Sequence, residues 1–168
     1  IVKTLDHRSG EPVEIFGFED GYQGLIYKRY RKMTPADFSG ILTRGGTILG
    51  TSRTPFKRLD IPEADGVDKV AAMKGTYREL GLDCLFMLGG NGSTKTANRL
   101  AQEGLNVIAL PKTIDNDLFG TDHCPGFASA AKYIATSCME IYQDARVYDT
   151  GMVCVVEIMG RHAGWLAG

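Results

Sequence analysis

The sequence predicts an α/β fold, an open doubly wound and mostly parallel sheet with helices on both faces, incomplete as given. Three observations carry this. Short apolar runs alternate with segments of helical periodicity three times in succession. The run at 84–88 is continuous rather than alternating, as a strand buried on both faces of a parallel sheet requires. Residues suited to chemistry gather directly after each run, where open parallel sheets bind their ligands.

Taken in order, residues 12–18 (PVEIFGF) are rich in strand formers and lead into a turn at Glu19-Asp20-Gly21. Residues 66–80 place Val67, Val70, Ala71, Met73 and Tyr77 at helical spacing. The apolar run at 84–88 ends in Gly89-Gly90 and reads as a strand buried on both faces. Helix is expected over 93–103, strand over 106–110, a long helix over 126–146 and a further strand over 152–158 (MVCVVEI). This is a Rossmann-like layer. The first 65 residues are less regular, and their main feature is the Gly-rich stretch 43–53.

Composition excludes several function classes. The 168 residues, 43% hydrophobic and 23% charged, describe an ordinary globule able to bury a core. Nineteen Lys and Arg against twenty Asp and Glu leave a net charge of -1, so no overall positive field draws in nucleic acid or an anionic membrane. The basic run Lys28-Arg29-Tyr30-Arg31-Lys32 is accordingly a solvated face. No apolar run reaches the roughly 18 residues of a membrane span. Cys84, Cys124, Cys138 and Cys154 lack CxxC spacing and are expected to be reduced and buried, in a cytoplasmic protein. The histidines show no ligand spacing, so none is assigned a metal. Because the chain opens on Ile1 and stops at Gly168 where a helix begins, it is expected to be part of something longer.

The strand ends hold the informative residues. Gly89-Gly90-Asn91-Gly92-Ser93-Thr94 opens a helix with three glycines, which let backbone approach a phosphate while the helix start supplies N–H donors. It is not a Walker loop, since Thr94 stands where a glycine should precede Lys95-Thr96, and Lys95 breaks GxGxxG. The plainer alternative is a tight turn capped by Ser93. After the next strand, Lys112, Thr113, Asp115 and Asp117 offer a cation and two carboxylates, able to pair with phosphate, bind Mg²⁺ or accept a hydroxyl proton. The alternative there is a solvated Asp-Asn turn. After 152–158, Arg161 could fork onto a phosphate or sugar oxygen, and Glu157 within an apolar strand calls for a partner.

GGNGS, PKTIDND and VVEIMGR followed by HAGWLA, with DGYQGL at 20–25 and RGGTILGTSR at 44–53, together resemble the phosphofructokinases over nearly the whole chain. The resemblance implies phosphoryl transfer to the 1-hydroxyl of fructose 6-phosphate with Mg²⁺. It implies that Asp115 is the base, that Thr113 touches the sugar or transferring phosphate, and that Asp117 serves metal and geometry. Lys112 joins them in the catalytic set. Met159, Gly160 and Arg161 would hold the sugar together with Thr113 and Asp115. Tyr22, Arg53, Gly90, Asn91, Gly92 and Ser93 would hold the donor, and Asn91, Asp115 and Asp117 the metal. It further implies that residues 1–168 are one donor-binding α/β domain of a longer two-domain chain, lacking the first strand and the sugar-binding second domain. That longer chain would be a homo-oligomer.

Two positions depart from the family pattern. Asn91 stands where GGDG places an aspartate, keeping an oxygen ligand but losing its charge. Met152 stands where bacterial relatives place an arginine that reaches a neighbouring subunit's sugar phosphate. Gly92 resembles the ATP users, whereas Lys112 resembles pyrophosphate users and one long-chain ATP group. A missing side chain is what admits the larger donor, so ATP is the expected donor and pyrophosphate the alternative. A non-catalytic regulatory relative would account for Asn91 and Met152 together. A nicotinamide oxidoreductase shares the sheet type but requires the GxGxxG that this chain lacks.

Overall fold

A computed structural model describes Thr4, Arg8, 10–160 and 162–168. The chain divides into two compact units, Ile1–Asp83 and Cys84–Gly168.

In the first unit, β1 (Ile15–Phe18) and β2 (Tyr30–Met33) form an antiparallel pair in the register Ile15 to Met33 and Phe18 to Tyr30. The short helix α1 (Tyr22–Tyr27) connects them. Its Gly24 is required: a Cβ there would lie 2.2 Å from the Glu19 carbonyl oxygen and 2.7 Å from that of Arg29. Helix α2 (Lys69–Glu79) packs on α1 and starts at Asp68, whose carboxylate accepts the Ala71 N–H at 3.0 Å. Leu25, Ile26, Met33, Leu59, Val70 and Met73 form the buried core. Lys69 is only 3% exposed, and its ammonium donates to the carbonyls of Arg58 and Ile61 beside the Glu63 carboxylate. A buried cation needs such partners. Of the basic run, Lys28, Arg29, Arg31 and Lys32 each pair with a carboxylate, as a solvated face does.

In the second unit, β3 (Leu85–Gly89) and β4 (Val107–Pro111) pair in parallel from Leu85 and Val107 to Gly89 and Pro111. Helix α3 (Asn91–Gln102) is the crossover and packs on both strands. Thr96, Ala97 and Leu100 are buried on its inner face, and Leu85, Met87 and Leu105 are buried in the same unit. Burying a leucine such as Leu100 stabilises by about 1.5–3 kcal/mol. Helix α4 (Phe127–Ala145) follows, and a short 3₁₀ turn spans Gly164–Leu166. The β–α–β order and parallel pairing match the expected α/β class, as a fragment of the full layer.

Several expectations are corrected. The run at 84–88 is buried on one face only: Leu85 and Met87 are covered, but Phe86 and Leu88 are exposed, because α3 covers just one side of the pair. Residues 152–158 form no strand. They find no ladder partner among the described residues, and Val153, Val155 and Glu157 lie exposed, so Glu157 is not a buried carboxylate. All four cysteines are free, yet only Cys124 is buried; Cys154 is exposed, in a segment that pairs with no strand among the described residues. No helix among the described residues is long and apolar enough to cross a membrane.

Candidate functional site

The parallel ladder brings two motifs to one edge. Beyond the last paired residues, the Lys112 N–H donates to the Gly89 carbonyl at 2.9 Å, so PKTIDND leaves its strand beside the start of GGNGS. Strand order alone places both loops at the carboxyl ends, where open α/β sheets bind ligands.

The glycine loop is tight on one side and open on the other. A Cβ at Gly89 would lie 2.5 Å from the Ser93 Cβ, and one at Gly90 would lie 3.4 Å from the Thr113 Cβ. At Gly92 it would meet nothing within 4 Å. Helix α3 begins at Asn91 with Gly90 as its N-cap and no side-chain cap, so Ser93 is not the capping residue that the plainer reading required. The helix start keeps the positive end of its dipole directed at the loop. Asn91 and Gly92 are exposed, and Ser93 is half-buried against Gly89.

The second loop is fixed by its own polar groups. Thr113 forms a parallel bridge with Gly126, and its N–H donates to the Pro125 carbonyl at 3.1 Å. The Thr113 hydroxyl accepts the Asp115 N–H at 3.2 Å. Thr113 and Asp115 are half-buried, while Lys112 and Asp117 are exposed. An open cleft of about 350 Å³ lies beside the two loops, lined by Asn91, Thr94, Pro111 and Asp117 together with Leu118, Phe119 and Thr121. Thus Asn91 and Asp117 share one cleft; Thr113 and Asp115 are not part of its lining.

Among the described residues no cluster of three or more His, Cys, Asp and Glu side chains could cage a metal. The amide oxygen of Asn91 and the carboxylate of Asp117 are nevertheless hard oxygen donors. They fit Mg²⁺, which is ordinarily held by one or two carboxylates with substrate phosphates and water.

The remaining predicted residues divide by unit. Tyr22 (half-buried) and Arg53 (exposed) belong to the first unit, where their segments meet at Asp20. The Asp20 N–H donates to the Leu49 carbonyl at 2.7 Å, and the Ser52 hydroxyl donates to the Asp20 carbonyl at 2.5 Å. Gly50, at φ +74°, leaves room for the Asp20 carboxylate, which a Cβ would approach to 2.5 Å. DGYQGL and RGGTILGTSR are therefore one local construction. Met159 is exposed, Gly160 takes φ +135°, and Arg161 lies outside the described residues.

Three contributors stand in the quoted motifs but were given no individual role there. Asn116 and Trp165 hydrogen-bond around Asp115, and Thr94 lines the cleft. The preference of Asn for left-handed turns could have singled out Asn116. Nothing local signals a bond from Trp165 to a residue 50 positions earlier.

Comparisons with known proteins show the family. The sequence profile of the family described as Phosphofructokinase matches residues 1–168. An ATP-dependent 6-phosphofructokinase of Spirochaeta thermophila is 52% identical over 159 residues, covering 92% of this chain and 43% of that protein. One from Bacteroides thetaiotaomicron, ATP-dependent 6-phosphofructokinase 3, is 42% identical over 168 residues, covering 99% of this chain and 48% of the relative. The crystal structure of a pyrophosphate-dependent phosphofructokinase from Marinobacter aquaeolei superposes with a TM-score of 0.82 at 28% identity, over 99% of this chain and 42% of the other. This chain thus spans somewhat less than half the length of these relatives. With the family profile matched from end to end and glycine and Asp-Asn-Asp loops side by side, the chain belongs to the phosphofructokinase family.

Proposed function

We propose that the protein carrying this chain transfers a phosphoryl group from ATP to the 1-hydroxyl of fructose 6-phosphate, giving fructose 1,6-bisphosphate in glycolysis. The observation that carries the reading is the junction of GGNGS with PKTIDND, closed by the Lys112 to Gly89 hydrogen bond at the end of the ladder. The names of the curated relatives support ATP, and so does the open space at Gly92.

In this mechanism the sugar hydroxyl oxygen attacks the terminal phosphorus while Asp115 takes the hydroxyl proton, and the nucleoside diphosphate leaves with the electron pair. Thr113 holds the sugar or transferring phosphate, and the Lys112 ammonium offsets charge on the phosphate chain. Gly90, Gly92 and the α3 start, with Ser93, cradle the donor phosphates. Tyr22 and Arg53 contact the donor, and Met159, Gly160 and Arg161 contact the sugar. Asn91, Asp115 and Asp117 would hold Mg²⁺, which when bound neutralises phosphate charge. These residues position and neutralise; no covalent intermediate is needed. Residues 1–168 form the donor-binding domain of a two-domain, homo-oligomeric, cytoplasmic enzyme.

The Marinobacter relative is named as a pyrophosphate-dependent enzyme, which keeps that donor as the second reading. A coupled assay on the full-length protein with fructose 6-phosphate and either donor separates the two. Efficient turnover with ATP supports the proposal. Turnover with pyrophosphate alone would replace ATP as donor, and none with either donor would leave the regulatory relative.

A further inference from the structure

We propose that Asn116 and Trp165 are positioning residues that hold the main chain on both sides of Asp115 in place. This rests on the reading of Asp115 as the base. Asn116 adopts φ +46°, a left-handed conformation that turns the chain sharply between the two aspartates. Both ends of its amide are engaged: Nδ2 donates to the Asp122 carbonyl at 3.1 Å, and Oδ1 accepts the Cys124 N–H at 2.7 Å. The next residue, Pro125, accepts the Thr113 N–H, and the Thr113 hydroxyl accepts the Asp115 N–H. These bonds close a circuit from 113 through 116 to 125, anchored at the buried Cys124.

Trp165 adds a second hold. Its indole Nε1–H, which can only donate, reaches the Asp115 carbonyl oxygen at 2.9 Å. The residue is 50% exposed, but its turn is rooted by buried Ala163 and Leu166. The carbonyl and N–H of Asp115 are therefore both held from outside its own turn or by Thr113, and the carboxylate inherits that placement. Proton transfer depends on such placement, since a misplacement of about 1 Å costs on the order of 100-fold.

Two variants of the full-length protein test this. Trp165→Phe keeps a ring and removes the donor, and Asn116→Gly keeps the left-handed turn and removes both side-chain bonds. Each should lower kcat about 10- to 100-fold while KM for fructose 6-phosphate stays within about threefold. Amide exchange at Cys124 gives a readout independent of turnover and should be at least about tenfold faster in Asn116→Gly, since its acceptor is gone. The proposal is overturned if kcat stays within about twofold in both variants, if KM rises without a fall in kcat, or if Cys124 exchange is unchanged. A wild type without turnover counts against Asp115 as base, and the exchange rate then decides whether the clamp exists.

Discussion

Gly90 and Thr113 face each other across the two strand ends, and a Cβ at position 90 would rest 3.4 Å from the Thr113 Cβ. That is ordinary van der Waals contact, and Gly90 has an extended backbone that alanine adopts easily. Gly90→Ala should therefore leave thermal stability nearly unchanged. It fills the space through which backbone approaches a phosphate, so KM for the donor should rise roughly tenfold, about 1.4 kcal/mol. Thermal melting and donor titrations check both halves.

Gly92 has open space where a side chain would go, so Gly92→Asp should fold normally. The new carboxylate would occupy the volume an α-phosphate and its ribose need and would repel the polyphosphate. The ratio of catalytic efficiencies for ATP over pyrophosphate should fall at least about 100-fold, on the order of 3 kcal/mol. An equal loss with both donors would show that Gly92 is not the selector.

Asn91 shares a cleft with Asp117, and Asn91→Asp would set a second carboxylate on its wall. A charged oxygen binds a hard cation more tightly than a neutral one. Mg²⁺ titration by calorimetry should give a lower Kd in the variant. An unchanged Kd would place the ion on the Asp115 and Asp117 side.

Away from the site, Asp37 is held below the usual carboxylate range first by the Thr34 N–H at 2.7 Å, then by the Thr34 hydroxyl, with Arg31 adding to it. A depressed folded-state value contributes stability above the ordinary carboxylate pKa, and that contribution is lost as pH falls through the folded value. Thermal melts from pH 6 down to pH 3 should show wild type losing stability with acid. In Asp37→Asn that acid-dependent part should shrink.

Continuous apolar runs and helical spacing made β3, α3, β4 and α4 legible, because these elements are local in sequence and their periods differ. The same rule failed at 152–158, since composition reports a tendency to extend while a strand also needs a neighbour to complete its ladder. Burial of β3 was overread for a related reason: Phe86 and Leu88 are apolar, but α3 covers only the opposite face. Within the site, glycines and carboxylates after strands were visible as motifs. The hold of Trp165 on Asp115 was not, because a hydrogen bond across 50 residues leaves no local trace.

The most direct measurement is single-turnover phosphoryl transfer from ATP by full-length wild type and Asp115→Ser, paired with fructose 6-phosphate binding by calorimetry. If Asp115 accepts the hydroxyl proton, the chemical step should slow by about 10²- to 10⁴-fold while sugar binding stays within a few fold. A variant that retains most of the wild-type rate would contradict the assignment of Asp115 as the base and the mechanism built on it.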